Sequence, residues 1–447
     1  MADFTPQQKA VLQSPARHNL VNAISKTGKT QLLIRLFRNC QEQPREFKAI
    51  FVTPNGFATQ HVVEYLQRVT KQNWGGQLIG TLSEIGWKLV QKYYADLQYS
   101  KVPKLVSDTS VQEERLAALA VANKTIGSVP SDETRTEHMK QWNQDFVARM
   151  HKRDYASPRS LMIDAVTLFT KLAHHSLANV QLLVADDIHD LTLDEHLAVI
   201  ALQERVERSC VTGNTNLACR DRYHDLDVDN WTSWVGRDGM KTFSLSTCFN
   251  MSAGHGTFLQ QLAAYNSSKI YDVFPTFQND PNQDSLFEVS VPSVEYMEEV
   301  IGEIENQLQL GIRNRVMGVV VRTRDEARML ARALNKPCCV MWDRHRLASS
   351  FDLAHKGTII TTPYEAPYLN LDYATIPKCI KDYWPYSDEK AENARHQFLR
   401  AVCSARLGVH FLTPDISSGN LISQFMTEGC NPKHILKSAQ FTPAGGA

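Results

Sequence analysis

One short segment near the start of the chain limits the folds that it can adopt. Residues 23–30 read Ala-Ile-Ser-Lys-Thr-Gly-Lys-Thr, which fits the phosphate-loop pattern G-x-x-x-x-G-K-[ST] with alanine in place of the first glycine. An apolar pair at residues 20–21 precedes it, and apolar residues at helical spacing follow in residues 32–37. A strand, a loop and a helix in this order predict an α/β domain that binds phosphate at the N-terminus of the helix.

The loop pattern predicts a task for each residue. We expect backbone N–H groups to surround the phosphates of a nucleotide, and Gly28 to let the backbone approach them. Lys29 supplies a positive charge, and the hydroxyl of Thr30 takes a position on Mg²⁺. A Gly-Lys-Thr that begins a helix by chance is the alternative. The residues predicted to bind nucleotide in this loop are Ser25, Lys26, Thr27, Gly28, Lys29, Thr30 and Gln31.

Two consecutive aspartates follow another apolar segment. Residues 180–185 read VQLLVA, and Asp186 and Asp187 come next. An unbroken apolar run is typical of a central strand that is buried on both faces. At the end of such a strand Asp186 can hold Mg²⁺, and Asp187 can orient or deprotonate an attacking water. An ordinary pair of turn aspartates is the alternative, and the phosphate loop upstream favours the catalytic interpretation.

Strands and helices alternate in two parts of the chain. Residues 49–52 form a predicted strand and residues 59–70 a helix, whereas residues 92–158 are polar, helical in pattern and without a clear strand. A second alternation begins at residues 317–322 and reaches a strand at 408–412. The sequence therefore predicts two parallel α/β domains, the first of which is interrupted by a helical insertion.

Composition narrows the possible functions. Lys and Arg number 48 and Asp and Glu number 48, so the net charge is zero and a broadly basic nucleic-acid binder is disfavoured. No apolar run reaches the roughly 18 residues that cross a bilayer. The first residues lack the pattern of a secretory signal, and no CxxC pair is present. We therefore expect a cytoplasmic protein with no membrane-embedded part and with reduced cysteines.

Short segments along the chain resemble, in order, the motifs of the UvrD/Rep-like superfamily 1 DNA helicases. Individually only the phosphate loop is specific, and the ordered set is much more so. The segments are residues 4–8 (FTPQQ), 23–30 (AISKTGKT), 53–58 (TPNGFA), 81–83 (TLS), 184–191 (VADDIHDL), 211–217 (VTGNTNL), 245–250 (LSTCFN), 318–323 (GVVVRT), 362–372 (TPYEAPYLNLD) and 401–409 (AVCSARLGV).

The resemblance implies an α/β fold with two RecA-like P-loop motor domains and a helical 1B-like insertion. Only 39 positions separate Thr323 from Thr362, so we expect the large 2B-like insertion of the family to be missing. The implied parts are the first RecA-like domain (1A) at residues 1–90 and 160–250, the 1B-like insertion at 91–159, the second RecA-like domain (2A) at 251–437 and a mobile tail at 438–447.

The resemblance also implies roles for single residues. Gln8 would read adenine, Phe249 would stack on it where the family has tyrosine, and His189 stands in place of the glutamine that senses the γ-phosphate. For Trp87 the alternative is a core position on an amphipathic helix, and for Arg322 a cap at a strand end. The residues expected to contact single-stranded DNA are Thr53, Asn55, Thr81, Trp87, Arg322, Thr323, Thr362 and Tyr364.

Several positions depart from the motifs of the family. Asp187 replaces a glutamate, and Asn250 and Ser404 replace the two arginines that contact the γ-phosphate. An arginine of this kind is worth ~10³–10⁵ in rate, so we expect slow hydrolysis. Arg400, one helical turn before Ser404, and Arg406, two residues after it, are candidate replacements.

These residues imply a helicase-like P-loop protein that binds ATP–Mg²⁺ and single-stranded DNA but hydrolyses ATP poorly. It would act as a DNA-binding or regulatory subunit with a protein partner such as a nuclease, as compact members of the family do in phage defence. An active ATP-dependent 3′–5′ DNA helicase or translocase is the alternative. A structural relic that binds neither ligand is a third possibility.

Overall fold

The computed structural model describes two α/β domains and a helical insertion in the first. None of the helices in the described residues is long and apolar enough to cross a membrane. Ser25 and Asn250, which the resemblance places at the nucleotide, lie outside the described residues. The described residues are 4–23, 26–41, 47–127, 132–170, 177, 179–214, 239–249, 255, 276–277, 286–291, 301–302, 315–333, 339–340, 357–369, 371–379, 383–384, 392–414 and 436–440.

The first half of the chain alternates short strands with helices. Hydrogen-bonding side chains cap several of these helices, among them Thr5, Asn55, Thr81 and Thr192. The elements, in chain order, are α1 (Pro6–Leu12), β1 (His18–Ala23), α2 (Lys29–Cys40), β2 (Ala49–Val52), α3 (Gly56–Thr70), β3 (Ile79–Gly80), α4 (Leu82–Tyr93), β4 (Lys104–Leu105), α5 (Gln112–Ile126), α6 (Asp132–Lys152), β5 (Tyr155–Ala156), α7 (Pro158–Thr170), β6 (Leu182–Ala185), α8 (Leu193–Gln203), β7 (Arg208–Gly213), β8 (Met240–Leu245) and β9 (Thr247–Cys248).

Six parallel strands form the first sheet, in the order β3-β2-β6-β7-β1-β8. Strands β2 and β6 are buried at all four positions, as expected for central strands covered on both faces. One strand, β7, lies between β1 and β6. The loop after β1 and the aspartates after β6 therefore lie at the same edge of the sheet, because the carboxyl ends of parallel strands share one edge.

The insertion is a pair of packed helices. Helices α5 and α6 enclose a small core that contains Val111, Phe146 and Met150. The prediction of no strand in this segment was wrong in one detail, because β4 and β5 pair in parallel. Each of these strands has two residues, and both residues of β4 are exposed. No apolar alternation could have marked them in the sequence.

The second half of the chain builds a second parallel sheet. Its core includes Trp384, Phe398 and Phe411. Seven strands lie in the order β13-β14-β12-β15-β16-β11-β17, and β9 pairs separately with β10. The elements are β10 (Thr276–Phe277), β11 (Leu286–Val291), β12 (Val316–Val320), α9 (Arg324–Ala333), β13 (Cys339–Val340), β14 (Gly357–Thr361), β15 (Tyr373–Ile376), α10 (Glu392–Ser404), β16 (Gly408–Pro414) and β17 (Leu436–Gln440).

Two parallel α/β sheets confirm the predicted fold class with two RecA-like domains. One predicted boundary needs correction. Strand β17 pairs with β11, so residues 438–440 belong to the second sheet and not to the mobile tail. Local sequence did not mark this strand, because its pairing with β11 is a contact between distant parts of the chain. Residues 441–447 lie outside the described residues.

Candidate functional site

Backbone geometry shapes the loop after β1. Gly28 precedes α2 with φ +79°, and Lys26 has φ +63°. A Cβ atom on Gly28 would lie 2.7 Å from Nε2 of Gln8 and 3.7 Å from the ring of Phe249. Glycine is therefore favoured at position 28 both by the left-handed backbone and by the closeness of these neighbours.

Helix α1 fastens the loop to the end of β8. Nε2 of Gln8 donates to the carbonyl oxygen of Thr27 at 3.1 Å, and Oε1 of Gln8 accepts from the N–H of Thr5 at 3.0 Å. The neighbouring Gln7 side chain donates to Oγ of Ser246 at 2.8 Å and accepts from its N–H at 2.9 Å. The buried Gln8 thus positions the loop, and its predicted reading of adenine stays a prediction.

Phe249 contacts the loop from the other side. Its N–H donates to the carbonyl oxygen of Lys26 at 2.7 Å, and its side chain lines the cleft in front of the loop. An aromatic face in this position can stack on a base, as the resemblance implies for Phe249.

Lys29 is buried at the start of α2. Its ammonium donates to the carbonyl oxygen of Ala23 at 3.1 Å and forms an ion pair with Oδ1 of Asp187 at 3.1 Å. The two predicted groups from separate motifs therefore meet. The carboxylate of Asp187 satisfies the lysine in the position where the motif places a phosphate.

Asp186 lies in the most polar part of the site. It accepts hydrogen bonds from the hydroxyl of Thr30 and, at 2.7 Å, from the hydroxyl of Thr212. Burial and the neighbouring Asp187 raise the pKa of Asp186 to about 6, although both hydroxyls and Lys29 oppose the shift. A carboxylate and a hydroxyl are ligands that suit Mg²⁺. No cluster of three or more His, Cys, Asp or Glu side chains suited to a metal occurs in the described residues, so Mg²⁺ here would depend on phosphate or water oxygens as well.

Asp187 and His189 differ in how they face the cleft. Asp187 lines it, with a left-handed backbone at φ +45°. His189 does not line the cleft, and its Nδ1 accepts from the N–H of Asn214 at 3.2 Å. Burial lowers the pKa of His189 to about 4, so the ring is neutral at pH 7 and its proton sits on Nε2. The Nδ1 of His189 lies 3.9 Å from Oδ1 of Asp187, and the predicted catalytic role of His189 stays a prediction.

The cleft lies between the two domains and has a volume of about 210 Å³. The phosphate loop and the aspartates form the wall from the first domain, and part of the second domain forms the facing wall. The described lining residues are Lys26, Thr27, Gly28, Lys29, Thr30, Gln31, Ala58, His61, Asp186, Asp187, Phe249, Pro367, Tyr368 and Cys403.

Arg400, one candidate replacement for a missing arginine, does not line the cleft. Its guanidinium donates to both carboxylate oxygens of Asp190, at 2.8 Å for Nη2–Oδ2, and to the carbonyl oxygens of Pro363 at 2.8 Å and Tyr364 at 3.0 Å. Ser404 is buried, and its hydroxyl donates to a main-chain carbonyl of α10. No arginine belongs to the cleft lining within the described part of the chain.

Three of the predicted DNA contacts lie inside the first domain. Thr53 is buried and its hydroxyl bonds to that of Thr59 at 2.7 Å. Asn55 and Thr81 are buried caps of α3 and α4. Their polar groups already have partners, so a DNA contact through these three side chains is not supported by the geometry.

The next three predicted contacts with DNA, one from the first domain and two from the second, differ in exposure to solvent. Trp87 is half-buried against the first core, in agreement with its alternative as a core aromatic. Arg322 donates through its guanidinium to the carbonyl oxygen of Tyr383 and lies 5.6 Å from the centre of that ring. Thr323 is exposed at the start of α9. Thr323 is thus the candidate most open to a ligand.

The last two candidates belong to the segment that follows β14. Thr362 is buried and donates to Glu365, and the hydroxyl of the half-buried Tyr364 accepts from Gln397 at 2.9 Å. These contacts brace the segment that presents Pro367 to the cleft. Binding of DNA by Thr362 and Tyr364 stays a prediction.

Some residues of the site gave no usable signal in the sequence. His61 of α3 and Tyr368 and Cys403 of the second domain line the cleft. His61 lies outside the motif-like segments, and Tyr368 and Cys403 lie in the segments 362–372 and 401–409, where the resemblance gave these two positions no role. Asp190 lies near the end of the motif-like segment 184–191. The sequence did not indicate its partner, the hydroxyl of Tyr368, which donates a hydrogen bond to it.

A parallel α/β domain with a phosphate loop faces a second parallel α/β domain across a cleft, and these features define a two-domain RecA-like P-loop protein. No protein-family model matches the sequence, and no curated protein matches it. One similar solved structure is S. cerevisiae Dbp5 bound to RNA and ADP BeF3, with 12% identity over 94% of this chain and 86% of that chain and a TM-score of 0.48. At that identity and score the likeness supports no conclusion about ligand or activity.

Proposed function

We propose that this chain is a helicase-like P-loop protein, related to the UvrD/Rep type, that binds ATP with Mg²⁺ and hydrolyses it slowly. It acts as a nucleotide-responsive subunit that binds single-stranded DNA and works with a protein partner such as a nuclease. The cleft carries this proposal. Its first wall has the phosphate loop, whereas the described second wall presents Pro367, Tyr368 and Cys403 and no arginine.

The residues of the first wall fit ATP and Mg²⁺. The close packing around Gly28 leaves room for backbone and none for a side chain, and the first N–H groups of α2 have no partner within the helix. Lys29 would bind the phosphates, and Thr30 with Asp186 would hold the metal. When bound, Mg²⁺ neutralises charge on the phosphate oxygens. Asp187 is placed beside Lys29, where a carboxylate can orient a water or accept its proton.

Slow hydrolysis follows from the second wall. An arginine that reaches the γ-phosphate is worth ~10³–10⁵ in rate. Arg400 is buried with its donors on Asp190, Pro363 and Tyr364, and the hydroxyl of Ser404 has no comparable charge. We therefore expect binding without efficient turnover.

Steady-state ATP hydrolysis, with and without single-stranded DNA, tests the slow turnover. We expect a rate below about 1 s⁻¹ for the wild type, with little stimulation by DNA. The Lys29→Ala variant measures any contaminating activity. A DNA-stimulated rate above that value, lost in Lys29→Ala, would show an active motor and support the helicase alternative.

Thermal unfolding with ATP and Mg²⁺ tests binding separately. A ligand that binds only the folded state raises the unfolding temperature, so we expect a rise for the wild type and none for Lys29→Ala. A wild type that is not stabilised at millimolar ATP would overturn the proposal and leave a structural relic.

Binding to nucleic acid is tested by fluorescence anisotropy with a single-stranded DNA oligonucleotide and an RNA of the same sequence. The chain has equal numbers of acidic and basic residues, so we expect an affinity that falls steeply with salt. Tighter binding of the RNA would contradict the assignment to DNA. Mass spectrometry of the complex purified from the native source tests for the partner.

A further inference from the structure

Lys26 has a backbone conformation that lysine rarely adopts. Its φ of +63° lies in the left-handed region, which is unfavourable for any residue with a Cβ atom. Strained residues of this kind collect at functional sites. The described non-glycine residues with positive φ are Lys26, Lys71, Gln98, Asp154, Asp187 and Lys378, and among them Lys26 and Asp187 line the cleft.

Lys26 lines the same cleft as Pro367, Tyr368 and Cys403 of the second domain. Burial lowers its pKa to about 8, and its charge interacts with Cys403, Arg406 and Asp372 of that domain. Cys403 immediately precedes Ser404 on α10, the position where the resemblance implies an arginine. Lys26 therefore brings a cation from the phosphate loop to the wall of the cleft that lacks one.

The charges of the described residues that line the cleft also indicate a role for Lys26 in binding an anion. Asp186 and Asp187 are balanced by Lys26 and Lys29, while burial lowers the pKa of His61 and favours its neutral form at pH 7. Without Lys26 the acidic groups outnumber the basic ones, and a polyphosphate anion would be repelled. Lys29 already shares an ion pair with Asp187 at 3.1 Å.

We propose that Lys26 is a second phosphate-binding lysine, which binds the polyphosphate chain of a nucleoside triphosphate from the side of the second domain. This inference rests on the proposed function of the cleft and adds a binding residue to it. The ammonium supplies charge for binding at the place where the second domain offers Pro367, Tyr368 and Cys403.

The test compares two lysines in the same backbone conformation. Lys26→Gly removes the charge and relieves the left-handed strain, so the variant should be at least as resistant to heat as the wild type. Lys71→Gly is the matched control, because exposed Lys71 has φ +59° at the end of α3 and does not line the cleft. Lys26→Arg keeps the charge. Affinities are measured by titration with a fluorescent ATP analogue, with inorganic tripolyphosphate and adenosine as competitors.

We expect Lys26→Gly to bind the ATP analogue and tripolyphosphate about tenfold more weakly, as for the loss of one charged contact, with no change for adenosine. Lys26→Arg should stay near the wild type, and Lys71→Gly should match it. Wild-type affinity in Lys26→Gly, or an equal loss of adenosine binding, would overturn the inference while the proposed function stands. If the wild type does not bind the ATP analogue, both the proposed function and the inference are overturned. If Lys29→Ala loses affinity and Lys26→Gly does not, the proposed function stands and the inference is overturned.

Discussion

Arg400 of the second domain and Asp190 of the first form a buried, two-pronged ion pair. Their side chains are 2% and 10% exposed. Burial by itself would raise the pKa of Asp190, but the charge of Arg400 and the hydrogen bonds from Arg400 and Tyr368 hold this pKa well below its usual range. The Tyr368 hydroxyl donates to the same carboxylate. The pair therefore links the two walls of the cleft directly.

Loss of Arg400 should destabilise the protein strongly. Arg400→Ala leaves Asp190 charged and buried, and removal of one partner from such a pair costs about 3–5 kcal/mol. Denaturation by urea, followed by tryptophan fluorescence, measures the change in the free energy of unfolding. The matched control is Arg328→Ala, which removes the exposed pair with Asp325 and should cost at most about 1 kcal/mol. Equal losses in the two variants would contradict the role of the buried pair.

Gly28→Ala should impair nucleotide binding more than folding. The new Cβ atom meets Nε2 of Gln8 at 2.7 Å, which displaces that flexible side chain and breaks its bond to Thr27. Gly239→Ala is the control, since Gly239 has φ +76° and open space around it. Both variants should lose about 1 kcal/mol of stability from the left-handed backbone. Only Gly28→Ala should bind ATP more weakly, and unchanged affinity in that variant would show that the loop tolerates a side chain.

Affinity for ATP should fall as pH rises from 7 to 9. Lys26 has a pKa of about 8, so it loses its proton in this window, and phosphate binding favours the protonated form. One pH unit above the pKa leaves about a tenth of the lysine charged, and with about tenfold weaker binding by the neutral form this predicts about a fivefold loss.

Other titratable or charged groups lie near Lys26 and must be separated from it in this pH test. Its neighbours include His61, whose pKa is lowered, Cys403, Asp372, Arg406 and Lys29. Lys26→Arg should flatten the profile, because arginine stays charged; an equally steep profile in that variant would assign the titration elsewhere. The stability of the free protein should change in the opposite sense: the pKa is lower in the folded state, so folding becomes more favourable as pH rises from about 8 to 10.5.

The dependence of ATP binding on Mg²⁺ should require the hydroxyl of Thr30. This hydroxyl donates to Asp186, and the two oxygens form the proposed metal site. Thr30→Ala should remove most of the gain in affinity that Mg²⁺ provides, whereas Thr30→Ser keeps the hydroxyl and should retain it. Titration with ATP in the presence of Mg²⁺ or of a chelator measures the gain. An undiminished gain in Thr30→Ala would place the metal on other ligands.

The elements that are fixed by local pattern were predicted well. Strand β2 (Ala49–Val52) has the predicted bounds, because a buried apolar run specifies a strand without help from distant residues. The phosphate loop and the paired aspartates lie, as predicted, at the ends of two strands, and the structure places both at the same edge of one sheet. The strands β4, β5 and β17 were not predicted, because they are short or polar and depend on pairing with distant segments.

The predicted contacts with DNA show the limit of motif analysis. A threonine or asparagine at the start of a helix has the same appearance in sequence whether it caps the helix or binds a phosphate. Asn55 and Thr81 are caps, and Thr53 is bonded to Thr59. The choice between the two roles is made by the surrounding fold, since it decides whether the polar group faces solvent.

By itself, the sequence determined the order of the elements, the two parallel sheets and the loop that meets a phosphate, because these follow from apolar spacing and from residues adjacent in the chain. Only the tertiary structure decided which charges meet. Asp190 and Arg400 are 210 residues apart, and their pairing holds the guanidinium of Arg400, which does not line the cleft. Lys26 faces the second wall for the same reason: Coulomb energy depends on distance in space, and the folding of two domains against each other sets that distance.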